Sequence, residues 1–171
     1  PKGIGLLIKK ENIVIEPLIH GGKSTTPYRS GTPPLPLIAG LTKALELSIP
    51  NVDKNYDYIE KLSDRVKEKL STYKNVHINS TNNSIPHTIN FSLKNIKPET
   101  FIHALEEKEI YISTKSACSK SDSISKSVFA LTNDYELSNT TLRISISCMT
   151  TESEIDYFLS TFDECINKLN L

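Results

Sequence analysis

The chain has 171 residues, carries 20 Lys and Arg against 20 Asp and Glu, and is 37% hydrophobic, enough to bury one core of ordinary size. A formal net charge of zero with no basic run longer than Lys9-Lys10 removes the electrostatic footprint of a duplex-binding protein, so no direct DNA binding is expected. No apolar run approaches the roughly 18 to 20 residues that cross a bilayer, and no secretory pattern opens the chain. The expectation is a soluble cytoplasmic protein with no membrane partner. Three cysteines without a C-x-x-C pair argue against a disulfide framework or a structural zinc. The chain opens on Pro1-Lys2-Gly3-Ile4-Gly5 rather than on Met, and so reads as the tail of something longer.

In chain order, Ile4 to Ile8 and Ile13 to Ile15 are short aliphatic runs split by Lys9-Lys10-Glu11-Asn12, a pattern that predicts a hairpin. His20 to Pro34 is rich in Gly, Pro, Ser and Thr and reads as a long loop. Leu37, Ile38, Leu41, Ala44 and Leu45 recur at helical spacing, predicting a helix over Leu35 to Leu47 closed by Pro50. A second helix shows Tyr56, Ile59, Leu62, Val66, Leu70 and Tyr73 on one stripe, with Asn51 or Asp53 as its cap.

The period then changes to two. Val76 and Ile78, then Ile89, Phe91 and Leu93, then Ile110 and Ile112, then Leu142, Ile144, Ile146 and Cys148 predict four half-buried strands. Together they favour a mostly antiparallel sheet with helices on one face, an α+β arrangement. Lys97 to Lys108 predicts a helix with Pro98 in its first turn. Thr151-Glu152-Ser153-Glu154 is a capping box that starts a last helix with Ile155, Phe158, Leu159, Phe162, Ile166 and Leu169 on one stripe. Ser119 to Ser127 is rich in Ser and Lys and reads as a mobile segment.

Two side chains invite a chemical reading. Cys118 lies among small residues beside Lys115 and Lys120, where positive charge favours the thiolate and small neighbours leave sulfur accessible. An inert loop thiol is the plain alternative. Cys148 and Cys165 read as small hydrophobes on packed faces. Arg143 alternates with Leu142 and Ile144, so it points away from the core, either to grip a carboxylate through two hydrogen bonds or as an ordinary surface arginine. His20, His77, His87 and His103 show no metal-ligand spacing.

The segments Pro1-Lys2-Gly3-Ile4-Gly5, Pro17-Leu18-Ile19-His20-Gly21-Gly22, Arg29-Ser30-Gly31-Thr32, Ser116-Ala117-Cys118-Ser119 and Leu142-Arg143-Ile144-Ser145 follow the order and spacing of the cysteine desulfurases. The chain therefore resembles that group of class V aminotransferase-like enzymes that use pyridoxal phosphate, and the likeness covers essentially its whole length. The resemblance implies the small C-terminal domain of a fold-type I pyridoxal-phosphate enzyme, itself of the α/β class. In that reading residues 1–34 end the large cofactor domain with a hairpin and a dimer loop, 35–50 form a linking helix, and 51–171 form the small domain.

The resemblance further implies that Cys118 is the nucleophile that takes sulfur from L-cysteine as a persulfide, that Arg143 holds the substrate carboxylate, and that Thr32 reaches the cofactor phosphate of the neighbouring subunit of a homodimer. A sulfur-acceptor protein would receive the persulfide for iron-sulfur cluster assembly or for tRNA or cofactor thiolation. No residue of the chain matches the family's Schiff-base lysine, so no covalent pyridoxal phosphate and no activity are expected of these residues alone. The alternatives are another class V enzyme such as a selenocysteine lyase, or a non-catalytic interaction domain.

Overall fold

The computed structural model describes residues 2–22, 26–114 and 124–169, which form two compact units, Pro1–Val52 and Asp53–Leu171. In the first unit the expected hairpin does not form. The polar insert does turn, with Ile13 N–H donating to Lys10 O at 3.1 Å, but the flanking runs have no ladder. Leu7, Ile8, Val14 and Leu18 remain exposed. Aliphatic runs become strands only where a partner takes their backbone groups and covers a face, and none among the described residues does so. The long loop is irregular as predicted at its described positions, and α1 follows over Leu35–Ser48. Pro50 sits in a 3₁₀ turn, Ile49–Asn51, that leads directly into α2, Val52–Leu70. Neither predicted cap acts as one: Asn51 Nδ2 donates backward to Leu47 O at 3.0 Å, and Asp53 lies inside the first turn of α2.

The second unit is built on a three-stranded antiparallel sheet of β1 (Val76–Ile78), β2 (Thr88–Leu93) and β3 (Thr141–Ser145), in that order. Register sets Ile78 opposite Phe91, Phe91 opposite Leu142, and Asn90 opposite Arg143. Period-two alternation then sends Ile89, Phe91, Leu93, Leu142 and Ile144 to one face, where all are buried,. The expected fourth strand over Ile110 and Ile112 shrinks to a single bridge between Ser113 and Arg143. Glu109 adopts a left-handed φ of 59°, and Ile110 N–H still bonds back to Leu105 O at 3.1 Å, so this backbone is engaged with the preceding helix before it can join the sheet.

Three helices cover the apolar face. Leu62, Val66 and Leu70 come from α2, Phe101 and Leu105 from α3 (Pro98–Glu106), and Ile155, Phe158, Phe162, Cys165 and Ile166 from α6 (Glu152–Lys168). Phe162 is fully buried and stands at the centre, with ring centroids 5.0 Å from Phe101, 5.3 Å from Tyr73, 5.8 Å from Phe158 and 6.0 Å from Phe91. The predicted capping box of α6 is formed: Thr151 Oγ1 accepts from Glu154 N–H at 3.2 Å, and the Glu154 carboxylate accepts from Thr151 N–H at 2.7 Å. On the outer surface α2 and the turn after it are tied to α6 by Arg65 with Asp156, Tyr73 with Asp163, and Lys69 with Asp163 at 2.8 Å.

Two short helices depart from the expectation of helices on one face alone. They are α4 (Lys126–Thr132) and α5 (Tyr135–Asn139). Ser125 caps α4, accepting from Val128 N–H, and Asp134 caps α5, accepting from Leu137 N–H at 3.0 Å. Ser92, on the polar face of β2, donates its hydroxyl to Leu137 O at 2.7 Å, which fixes α5 against that face. The polar side of the sheet is therefore partly covered, and Ser92 and Thr141 are buried there. Among the described residues no helix is long and apolar enough to cross a membrane.

Candidate functional site

The polar face of the sheet carries a continuous hydrogen-bonded row. Asn79, just past β1, bonds through its backbone N–H to Asn90 O at 2.9 Å; Asn90 is in register with Arg143; and Arg143 exchanges both backbone bonds with Ser113, at 2.7 and 3.0 Å. The side chains of this row are themselves ordered. Asn90 Oδ1 accepts from Asn79 Nδ2 and from Thr141 Oγ1, both at 2.8 Å, and Asn79 Nδ2 is also 2.8 Å from Ser92 Oγ.

These residues floor a cleft of about 410 Å³ whose walls are Ser80, Ser84, Thr114 and the start of α4 from Ser125 to Val128. Hydroxyls, carboxamides, Lys126 and Arg143 supply its polar groups, and no Asp or Glu lines it among the described residues. Arg143 is half-buried. Among the described residues its guanidinium has no side-chain partner, and its Nε is buried without an acceptor. Asn79 Oδ1, on the same cleft, is buried without a donor among the described residues. A guanidinium whose Nε–H is buried without an acceptor gains from one, so this cleft suits an anion with paired acceptor oxygens, above all a carboxylate.

Of the residues singled out in the sequence, Arg143 stands at this cleft on the face opposite Leu142 and Ile144. Cys118 lies outside the described residues, as do residues 119–123 of the segment read as mobile; Ser125, Lys126 and Ser127 are the cap and first residues of α4. Thr32 is in the first unit, exposed, next to Gly31 at a φ of +98° that favours glycine,. Cys165 is buried as expected, and burial pushes its thiol above the ordinary value,. Cys148 is not: it is exposed. Strand β3 stops at Ser145, and a turn follows in which Thr150 N–H donates to Ser147 O and Ser147 N–H to Thr150 Oγ1, both at 3.0 Å. That turn breaks the period-two phase before Cys148. Sequence reasoning also missed Asn79, Asn90 and Thr141, although their alternation with Ile78, Phe91 and Leu142 placed them on the face of Arg143.

Fold and cleft together define an α+β unit with a polar, cation-bearing cleft on the polar side of its sheet. The model of the family described as Aminotransferase class-V matches residues 1–158, and the chain belongs to that family. It is 35% identical over 168 residues to a NifS/IcsS protein homolog of Lactobacillus delbrueckii subsp. bulgaricus, covering 96% of this chain and 43% of the relative. It is 33% identical over 172 residues to the cysteine desulfurase IscS of Dictyoglomus turgidum, covering 99% of this chain and 44% of the relative. A solved NifS-like protein superposes with a TM-score of 0.76 at 29% identity, covering 92% of this chain and 40% of that one. The chain thus spans less than half the length of the relatives it matches.

Proposed function

We propose that this chain supplies the sulfur-accepting thiol and the substrate-carboxylate clamp of a cysteine desulfurase, which converts L-cysteine to L-alanine and leaves the sulfur on the protein as a persulfide. The observation that carries the reading is Arg143: a half-buried guanidinium with no acidic side chain beside it among the described residues, on the floor of a polar cleft. Its fork binds the carboxylate of L-cysteine through paired, charge-assisted hydrogen bonds. The Cys118 thiolate then bonds to the substrate sulfur as the carbon–sulfur bond breaks; the electron pair of that bond goes to the carbon side, which takes a proton and leaves as alanine.

Pyridoxal phosphate, when bound, supplies the electron sink that makes that bond breakable. Of the residues here, the exposed hydroxyl of Thr32 fits a phosphate oxygen, and in this reading it reaches the cofactor of the neighbouring subunit of a homodimer. The lysine that holds the cofactor is assigned to no residue of this chain. Residues 1–34 then close the large domain and carry the dimer loop, 35–50 link, and 51–171 form the small domain. The persulfide passes to an acceptor protein for iron-sulfur or thiolation chemistry.

The test is Arg143→Lys in the complete gene product. The charge stays and the fork is lost, so the KM for L-cysteine rises by the equivalent of about 1.5 to 3 kcal/mol, the scale of a hydrogen bond to a charged group. An unchanged KM and kcat would remove the clamp role.

A further inference from the structure

The carboxylate reading of Arg143 leaves unused the side chain that faces it across the sheet. Asn90 is in register with Arg143 and lines the same cleft. Its Oδ1 is held from two sides, by Asn79 Nδ2 and Thr141 Oγ1 at 2.8 Å each, and its backbone N–H is taken by Ser80 Oγ at 2.8 Å. An amide oxygen with both lone pairs engaged fixes the plane of the group. The Nδ2 edge is then the open one, and it has no hydrogen-bond partner among the described residues. Asn90 Nδ2 and the Arg143 guanidinium are both donors, so they cannot satisfy each other. Two neighbouring donor groups without an acceptor describe a place for a bound oxygen anion.

We infer that Asn90 is a second substrate-binding residue, donating from Nδ2 to the same carboxylate that Arg143 grips, with Asn79 and Thr141 as the positioning residues that turn its amide edge toward the cleft. This rests on the carboxylate reading of Arg143. It assigns the donation to the amide nitrogen, and Asp at this position separates that donation from the scaffold: Asn90→Asp keeps an oxygen for Asn79 and Thr141 while replacing the donor by an acceptor that competes for Arg143.

The experiment measures the affinity of the complete gene product for 3-mercaptopropionate, a thiol with a carboxylate and no amine, by calorimetry, with cysteamine as the probe that lacks the carboxylate. Asn90→Ala weakens 3-mercaptopropionate about tenfold, as the loss of one hydrogen bond to a charged group does, and Asn90→Asp weakens it more, with the melting temperature kept near that of the unmodified protein. Neither change alters cysteamine binding. If 3-mercaptopropionate binds within twofold of the unmodified protein in both variants while Arg143→Ala weakens it at least thirtyfold, Asn90 is scaffold only and the inference is overturned with the clamp intact. If Arg143→Ala also leaves the affinity unchanged, the clamp itself fails and the inference with it. Should Asn90→Asp not fold, Asn90→Ala alone decides: a loss confined to 3-mercaptopropionate upholds the inference, and an equal loss for cysteamine overturns it.

Discussion

Truncating Phe162 to alanine removes the ring on which the three covering helices and the sheet converge. The side chain is fully buried, and it contacts aromatic rings from α3, from β2, from α6 itself and from the turn after α2, at centroid distances of 5.0 to 6.0 Å. Phe→Ala changes in cores cost about 3 to 5 kcal/mol through lost transfer energy and the cavity left behind. Aromatic pairs add about 0.5 to 1.5 kcal/mol each beyond the area they bury, and these elements are held by the rest of the core and cannot readily collapse into the gap. The upper part of the range, about 4 to 5 kcal/mol, is therefore expected. Against a total stability of roughly 5 to 15 kcal/mol, the variant is marginal. Urea unfolding followed by far-UV circular dichroism should show a large fall in the midpoint with an unchanged slope. A loss below about 1.5 kcal/mol would mean that the four rings do not share one packed centre.

Two further outcomes follow from the outer surface and the thiols. The Asp163 carboxyl is held below its ordinary value by hydrogen bonds first from Lys69 and then from Tyr73. A lowered carboxylate pKa adds stability that is present above the unfolded value of about 3.9 and is lost as pH falls through the folded value. Asp163→Asn should flatten the stability profile in that acid window and leave it parallel to the unmodified profile at neutral pH; an identical acid slope in both would contradict the pairing. Brief alkylation of the native protein should label Cys148 well before Cys165, because the first is exposed and the second is buried with a raised pKa,; peptide mapping that finds Cys165 modified first would contradict both placements.

The sequence was most readable where one stripe or one alternation had to be buried. Val66 and Leu70, Phe101 and Leu105, and Phe158 and Phe162 each lie on the core side because helical spacing leaves them no other face, and the Thr151 capping box marks its helix start unaided. The short helices α4 and α5 have seven and five residues, too few for a stripe. Their signals were local: Ser125 and Asp134 as caps and Asn133 at a left-handed φ of 53° as the stop between them. The apolar runs around Lys9 and Lys10 illustrate the opposite case, since strand propensity without a pairing partner specifies nothing. At the site, Arg143 was legible as an out-of-phase charge in a neutral strand. Asn79 and Asn90 were not, because a polar residue on the outer phase of a strand looks solvated until α4 and α5 are known to cover that face.

The sulfur-accepting step proposed above falls on one atom, the Sγ of Cys118, and the most direct measurement is of that atom. The complete gene product, incubated with L-cysteine labelled in its sulfur and quenched by alkylation without reductant, should yield the peptide around Cys118 carrying one additional labelled sulfur that dithiothreitol removes. Cys118→Ser should abolish both this adduct and the release of alanine beyond background, while Cys148→Ser and Cys165→Ser keep both. Persulfide found on Cys148 or Cys165, or alanine formed at an undiminished rate by Cys118→Ser, would contradict the assignment.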